Sequence, residues 1–204
     1  SLLGVEALVR WAHPEFGRLG PDRFIGLAEE TGLIVPLGRW VLETACRQAM
    51  EWHRPGVAPM VSVNLAARQV AEPGLVDDIA SIIDDIGIPP TSLQLELTES
   101  AIMGTTGEPL SALRRLVDLG VRIAIDDFGT GYSNLRHLPV HALKIAGSFV
   151  AGLRSGDPEE VDAQIVTALV SLAHSLKLDV IAEGVETGEQ ADLLRHIGAD
   201  SAQG

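Results

Sequence analysis

Short aliphatic runs alternate along this chain with longer stretches of helical period, and this alternation restricts the fold more than any other feature. The runs are Val5 to Trp11, Met60 to Leu65, Leu93 to Thr98, Val121 to Asp127, Ala142 to Ala146 and Asp179 to Glu183. Each run is bounded by Gly, Pro or polar clusters, as β-strands usually are. Strands that alternate with helices indicate a parallel sheet with crossover helices.

The two faces of these strands distinguish an open sheet from a closed barrel. One face carries Ser62 and Asn64, then Gln94 and Glu96, then Arg122, Ala124 and Asp126, then Ala142, Lys144 and Ala146, whereas the opposite faces carry Val, Leu and Ile. An open sheet covered by helices on both sides is apolar on both faces. In a barrel, polar residues at the C-terminal strand ends converge on one axis. We therefore predict an α/β fold of the (β/α) TIM-like barrel type, with residues 1–204 as a single domain.

Polar residues end nearly every predicted strand. They are Glu6, Asn64, Glu96, Asp126, Asp127, Lys144, Glu183 and Gln203. Carboxylates a few Å apart repel one another unless a cation lies between them. Oxygen ligands without paired His or Cys favour a hard divalent ion such as Mg²⁺ or Mn²⁺. Adjacent Asp126 and Asp127 could reach two ions, which is the arrangement used for two-metal phosphodiester hydrolysis.

Each of these residues also has a purely structural interpretation. A single Asp or Glu at a strand end is more often a helix cap or a turn residue than a metal ligand. Lys144 could form a core ion pair with Glu96, and Glu99 could cap the element that begins after Thr98. Capping alone does not explain acidic residues at successive strand ends, so we prefer the metal-binding interpretation.

The charge of the chain limits its ligands. The 204 residues include 28 acidic and 15 basic side chains, a net charge of −13, which argues against a surface for DNA or RNA polymers. Any phosphate-bearing ligand must then be received by local Lys, Arg, helix N-termini or bound metal. The single Cys46 cannot form an intramolecular disulfide, and no stretch approaches the roughly 20 apolar residues of a membrane helix. We expect a cytoplasmic domain with no membrane contact within this chain, in a parent protein that other domains could anchor to a membrane.

Several short motifs follow one another in order along the whole chain. They are Glu6-Ala7-Leu8 with Val9-Arg10-Trp11, Asn64-Leu65, Glu96-Leu97-Thr98-Glu99-Ser100, Asp126-Asp127-Phe128-Gly129-Thr130-Gly131-Tyr132-Ser133, Leu143-Lys144-Ile145, Ala182-Glu183-Gly184-Val185-Glu186-Thr187 and Gln203-Gly204. This set closely resembles the EAL-domain family. Members of that family adopt a modified (β/α) barrel and hydrolyse the bacterial second messenger cyclic di-GMP to linear pGpG with Mg²⁺ or Mn²⁺.

The resemblance implies a role for each matching residue. Glu6, Asn64, Glu96 and Asp126 would hold one metal ion, and Asp126 and Asp127 would reach the second. Lys144 would position the hydrolytic water or stabilise charge on the phosphate. Glu183 would lie by the second metal or act as general base, and Asp127 would take part in catalysis. Leu8, Arg10 and Gln203 would contact the substrate, with Gln203 completing the floor of the site.

The resemblance also implies regulation and partners. Residues Phe128, Gly129, Thr130, Gly131, Tyr132 and Ser133 would form a loop that links the metal site to a dimer surface, with Glu99 as its anchor. We expect a homodimer, possible fusion to regulatory or GGDEF-type domains, and a first strand and a last strand and helix that lie outside this chain.

Three positions depart from the family pattern. Ala146 stands where the family usually has Asp after Leu-Lys-Ile, Gly147 replaces a common Arg, and Ala66 replaces a Ser after Asn64-Leu65. Our first hypothesis is a metal-dependent cyclic di-GMP phosphodiesterase. The second, motivated by Ala146, is a degenerate module that binds cyclic di-GMP or a protein without hydrolysis. A metal-dependent barrel enzyme with another class of substrate is the third.

Overall fold

Parallel strands joined by helices form the framework of this chain in the computed structural model, which describes residues 2–54, 59–103, 106–128, 137–153 and 161–204. The chain divides into a first unit, Ser1–Leu97 with Thr105–Arg122, and a second unit, Thr98–Gly104 with Ile123–Gly204. None of the helices in the described ranges combines the length and the apolarity needed to span a lipid bilayer.

The described elements follow one another in this order. They are β1 (Gly4–Ala7), β2 (Trp11–His13), β3 (Gly17–Leu19), α1 (Ile25–Thr31), α2 (Ile34–Trp52), β4 (Met60–Asn64), α3 (Ala67–Val70), α4 (Leu75–Ile86), β5 (Leu93–Thr98) and α5 (Glu99–Met103). They continue as α6 (Glu108–Asp118), β6 (Arg122–Phe128), β7 (Ala142–Ile145), α7 (Gly147–Ala151), α8 (Val161–Ser175), β8 (Asp179–Ala182), α9 (Gly188–Ile197) and β9 (Ser201–Ala202).

In the first unit, β4 pairs in parallel with β1 on one side and with β5 on the other. The register aligns Glu6 with Ser62, and Asn64 with Glu96. The Val and Leu side chains of β4 and β5 are buried, and α2 contacts both β4 and α4. Ser62, Gln94 and Glu96 on the opposite faces are buried as well. The polar strand faces predicted from the sequence therefore point into the protein interior.

The first predicted strand, Val5 to Trp11, is wrong in its length. Strand β1 ends at Ala7, and Trp11 begins an antiparallel hairpin in which β2 pairs with β3. Parallel pairing of β1 with β4 stops at Ala7, and from Trp11 onward the chain pairs with a nearby segment instead. An aliphatic run does not reveal such a change of partner, because both segments favour extended backbone.

In the second unit, β6, β7, β8 and β9 follow one another as parallel neighbours. Helix α8 packs against β7 and β8. The strand predictions for β6, β7 and β8 are confirmed apart from their terminal residues, whereas β9 escaped the analysis because it contains only Ser201 and Ala202. Helices α4 and α9 end at Gly87 and Gly198, which both adopt the left-handed backbone that glycine accommodates at helix ends.

Cys46 lies on the buried face of α2 and is 0% exposed. Burial raises the pKa of its thiol to about 11, because the low-polarity surroundings disfavour a thiolate. This side chain therefore behaves as a small apolar residue.

Candidate metal site at the strand ends

The first unit carries Glu6, Asn64 and Glu96 on three neighbouring strands. Asn64 Nδ2 donates a hydrogen bond of 2.7 Å to Glu6 Oε1, and Asn64 lies opposite Glu96 in the parallel register. Because the amide nitrogen faces Glu6, the amide oxygen of Asn64 is left as a possible ligand. Glu6 and Glu96 supply carboxylates, so this group offers only oxygen atoms.

Glu96 is 2% exposed and is held from within its own strand. Gln94 Nε2 donates to Glu96 Oε1 over 3.2 Å and to Ser62 Oγ over 3.1 Å. The sequence analysis noted Gln94 and Ser62 on the inward face but assigned them no part in the site. The strand-face pattern that identified Glu96 also places Gln94 and Ser62 on the same face, so it is the sequence feature that could have indicated their role.

In the second unit, a β-bulge brings Asp126 and Asp127 together. The register of β6 with β7 shifts between Ile125 and Phe128. These two residues are three positions apart on β6, whereas their partners on β7, Leu143 and Ile145, are two positions apart. Asp126 and Asp127 lie at this irregularity. Asp127 adopts left-handed backbone, with φ of 54°, and its N–H donates to Asp126 Oδ1 over 3.0 Å. Regular alternation would direct two adjacent side chains to opposite faces. The bulge removes that restriction.

Lys144 is the buried cation of this group. Its Nζ lies 2.5 Å from Glu183 Oε1 and 3.5 Å from Asp126 Oδ1, and the side chain is 1% exposed. A buried ammonium group is costly unless it is paired. The structure therefore pairs Lys144 with residues of the predicted site, on β6 and immediately after β8.

The carboxylates of the second unit fit a divalent cation. Asp126, Asp127 and Glu183 each place an oxygen within 4.8 Å of the others. Two oxygens on opposite sides of a Mg²⁺ ion are about 4 Å apart, so small side-chain adjustments would bring these three to an ion. The formal charges of these three carboxylates and Lys144 sum to −2, and a divalent ion would offset that sum. This oxygen-only set suits Mg²⁺ or Mn²⁺.

Two of the positions that depart from the family pattern, Ala146 and Gly147, adjoin this group. Ala146 is 4% exposed and directly precedes α7, without a side-chain hydrogen bond to cap the helix. Gly147 lies against Gly184, whose φ is 66° and whose added Cβ would lie 3.2 Å from Gly147 Cα. The backbone of Gly147 packs closely against Gly184, the residue after Glu183, so a long side chain at position 147 would begin beside that residue.

The predicted substrate-contacting residues occupy different places. Leu8 and Arg10 follow β1 and line a groove of about 330 Å³ in the first unit, together with Glu6. Leu8 is 49% exposed, and Arg10 is exposed. Gln203 follows β9 in the second unit, where its backbone N–H donates to Ala182 and its carbonyl accepts from Val185. The contacts of Leu8, Arg10 and Gln203 with a substrate therefore remain predictions.

The predicted regulatory loop is described only at its margins. Phe128 ends β6 and is buried, and Glu99 is the first residue of α5 and is 4% exposed. Residues 129–133, which include the other predicted loop positions Gly129, Thr130, Gly131, Tyr132 and Ser133, lie outside the described residues. Thr98 Oγ1 accepts from Ala101 N over 3.3 Å, so Thr98 supplies a side-chain cap at this turn. The anchoring role of Glu99 remains a prediction.

Comparison with known proteins identifies the family. Residues 1–204 match the EAL domain. The chain belongs to the EAL-domain family. It is 45% identical over 207 residues to the Pseudomonas aeruginosa protein named bifunctional diguanylate cyclase/cyclic di-GMP phosphodiesterase MucR, and 43% identical over 204 residues to the cyclic di-GMP phosphodiesterase NbdA of the same species. These alignments cover 100% and 98% of this chain but only 30% and 26% of the relatives, so the chain corresponds to less than a third of either protein.

Solved structures show the same fold. A MucR phosphodiesterase in complex with cyclic di-GMP superposes with a TM-score of 0.91 at 45% identity, over 99% of this chain and 82% of that one. The FimX EAL domain of Pseudomonas aeruginosa bound to cyclic di-GMP gives 0.86 at 26% identity, over 98% and 80%. The α/β, TIM-barrel-like fold class predicted from the sequence is therefore confirmed, as is membership of the EAL-domain family.

Proposed function

We propose that this EAL domain hydrolyses cyclic di-GMP to linear pGpG with the help of Mg²⁺ or Mn²⁺. The observation that carries the proposal is the group formed by Asp126, Asp127 and Glu183 around buried Lys144. Its carboxylate oxygens suit a divalent cation, and relatives that match 98% or more of this chain are named as cyclic di-GMP phosphodiesterases.

The residues divide into metal ligands and substrate contacts. From the resemblance to the EAL-domain motifs, we assign Glu6, Asn64, Glu96, Asp126 and Asp127 as the ligands, with two ions as the working number. Leu8, Arg10 and Gln203 are the proposed contacts to the nucleotide. Each ligand offers oxygen, which agrees with the preference of hard divalent ions.

Hydrolysis requires a water to attack one phosphodiester phosphorus while the 3′ oxygen of the opposite nucleotide leaves. When bound, the ions would supply positive charge to the phosphate and activate the water. Lys144 adds a fixed positive charge and, through its 2.5 Å contact, orients the Glu183 carboxylate. Glu183 can then accept a hydrogen bond, and finally the proton, from the attacking water. The leaving oxygen takes up a proton from solvent.

Ala146 supports a second candidate, a receptor domain that binds cyclic di-GMP without hydrolysing it. The side chain at this position is a buried methyl group at the end of the strand that carries Lys144, where the family usually has a carboxylate. A missing charge beside a metal site can reduce turnover while leaving the groups that bind the ligand in place.

The deciding experiment incubates the intact protein with cyclic di-GMP and Mn²⁺ and follows pGpG by chromatography, with Mn²⁺ affinity measured separately. Glu96→Gln should abolish turnover and weaken Mn²⁺ binding while the thermal unfolding midpoint is maintained, because one ligand is lost and carboxylate repulsion is relieved. Glu30→Gln is the matched control, since Glu30 is exposed on α1 and should behave like the parent. Cyclic di-GMP binding without any pGpG would instead favour the receptor.

The family relationship also supports proposals about the parent protein. The relatives named above are more than three times as long as this chain, so we propose fused regulatory domains, of GGDEF type in the simplest case. We also propose a cytoplasmic homodimer. Its mass by light scattering, with and without cyclic di-GMP, tests the dimer.

A further inference from the structure

We infer that Gln94 is a positioning residue, which holds the Glu96 carboxylate in the orientation needed to bind a metal ion. This inference rests on the proposed function, because it takes Glu96 to be a metal ligand. It concerns Gln94 itself, a neutral side chain with no expected chemistry of its own.

The geometry places Gln94 directly beneath Glu96 on β5. Residues two apart on a strand share a face, and the parallel register sets Gln94 beside Ser62 in the same way that it sets Glu96 beside Asn64. Gln94 is 0% exposed and Ser62 is 7% exposed. The four side chains form a polar square on β4 and β5, with the two candidate ligands on its upper edge.

Both N–H groups of the Gln94 amide are used within this square. One is donated to Glu96 Oε1 and the other to Ser62 Oγ. Within the described residues, Gln94 Oε1 is buried and has no hydrogen-bond partner. A buried carbonyl without a partner is unfavourable, yet rotating the amide would direct that oxygen at the Glu96 carboxylate. The orientation of the amide is therefore dictated by Glu96.

A bond to one carboxylate oxygen has a specific consequence for metal binding. It restricts the rotation of the Glu96 side chain, which reduces the conformational entropy lost when an ion binds. A neutral donor also leaves the negative charge of Glu96 in place, whereas a Lys or Arg at position 94 would offset it. Groups that orient metal ligands in this way commonly change metal affinity by 10- to 100-fold when they are removed.

Gln94→Met tests the inference, because methionine has a similar length and volume but no N–H group. In the intact protein, titration with Mn²⁺ followed by electron paramagnetic resonance should show a Kd at least about tenfold higher than in the parent. If this variant fails to fold, Gln94→Asn serves instead. Its amide is one methylene too short to reach Glu96, so the same loss of affinity is expected. Parent-like Mn²⁺ affinity in a folded variant would overturn the inference.

Ser62→Ala is the matched control. It removes the other partner of Gln94 but keeps the bond to Glu96, so the Kd for Mn²⁺ should stay within about threefold of the parent. Equal losses in the Ser62 and Gln94 variants would point to general packing and overturn the role of the amide. Glu96→Gln separates this inference from the proposed function. If that variant keeps parent-like affinity, the metal assignment itself has failed; if it loses affinity while Gln94→Met does not, only the positioning role has failed.

Discussion

Lys144 contributes a buried positive charge to the candidate site in the second unit. Its ammonium group is almost fully buried, between Glu183 and Asp126, and removing one partner of a buried ion pair usually costs more than the pair contributes. The sequence analysis gave a core ion pair with Glu96 as the structural alternative to a functional role for Lys144. Parity identified an inward Lys, but only the structure assigned its carboxylate partners on β6 and after β8.

Ala146 offers a test of whether a missing carboxylate limits turnover. Ala146→Asp should raise turnover by about tenfold, the scale expected when a partner of a metal site is restored. Position 146 also precedes α7 without a capping side chain, so Asp could stabilise the helix by about 1 kcal/mol. Ala146→Asn supplies a similar cap without charge and is therefore the control. If Asn raises pGpG formation as much as Asp does, the gain comes from capping and the carboxylate is irrelevant.

At the level of secondary-structure elements, the bulge in β6 combines two requirements at Asp127. The residue must adopt left-handed backbone, and its carboxylate must join those of Asp126 and Glu183. Non-glycine residues pay about 1–2 kcal/mol in that conformation, with Asp and Asn among the better tolerated. The bulge therefore explains why adjacent Asp residues can act together.

Substitutions at Asp127 can separate these requirements. Asp127→Gly should leave the free energy of unfolding unchanged or raise it by up to about 1 kcal/mol, whereas Asp127→Val should lower it by about 2 kcal/mol, because a β-branched side chain disfavours left-handed backbone. Both variants should lose Mn²⁺ affinity, since both lack the carboxylate. Urea denaturation measures the first effect and metal titration the second. Equal stability of the Gly and Val variants would contradict the backbone argument.

The junction of β8 and β9 depends on Asp200. Its Oδ2 accepts from Val180 N over 2.8 Å and lies 3.0 Å from His174 Nε2, and its own N–H donates to Val180 O. Partial burial raises the pKa of Asp200, but the hydrogen bonds from His174 and Val180 lower it more, so that the pKa lies below its ordinary value of 3.8. The ionised form is thus favoured by folding.

This lowered pKa predicts an acid-sensitive contribution to stability. A carboxyl group whose pKa is lower in the folded state stabilises the protein above its unfolded-state pKa, and this contribution is lost as the pH falls through the folded-state value. Asp200→Asn should therefore lower the thermal midpoint at pH 6, and the difference from the parent should shrink below about pH 4. Thermal melts of both proteins across this range measure the effect. A difference that persists unchanged at pH 2 would contradict it.

At the scale of the whole chain, the net charge of −13 would oppose the approach of cyclic di-GMP, the proposed ligand, which carries two phosphates. Salt shortens the Debye length from about 30 Å at 0.01 M to about 10 Å at 0.1 M. With saturating Mg²⁺, the association rate constant of cyclic di-GMP should therefore rise by about twofold or more over this range. Stopped-flow fluorescence measures it, with uncharged guanosine as the control ligand. A rate constant that falls with salt would indicate a locally cationic approach path instead.

The sequence predicted the buried faces of the strands more accurately than the buried face of helix α8. The strand-face pattern correctly predicted buried polar residues such as Glu96 and Lys144, because a period of two leaves only two faces to choose between. Helical spacing in and just after α8 groups on one face Ile165, Ala168, Leu169, Leu172, Ala173 and Leu176. Ala173 is buried, but Ile165 and Leu172 are 36% and 44% exposed. Ala163, Val166 and Val170 are buried in their place. Nearly every position of α8 is apolar or small, so its period did not indicate which side meets the sheet.

The sequence by itself determined the order of strands and helices, the family and the residue types at the strand ends, because these follow from local periodicity and from contiguous motifs. Only the tertiary structure decided the hairpin after β1, the short strand β9, the bulge that unites Asp126 with Asp127, and the partners of Lys144. All of these depend on which segment pairs with which across a sheet. Pairing is a relation between distant parts of the chain, and the free energy that selects it comes from contacts that local sequence patterns do not contain.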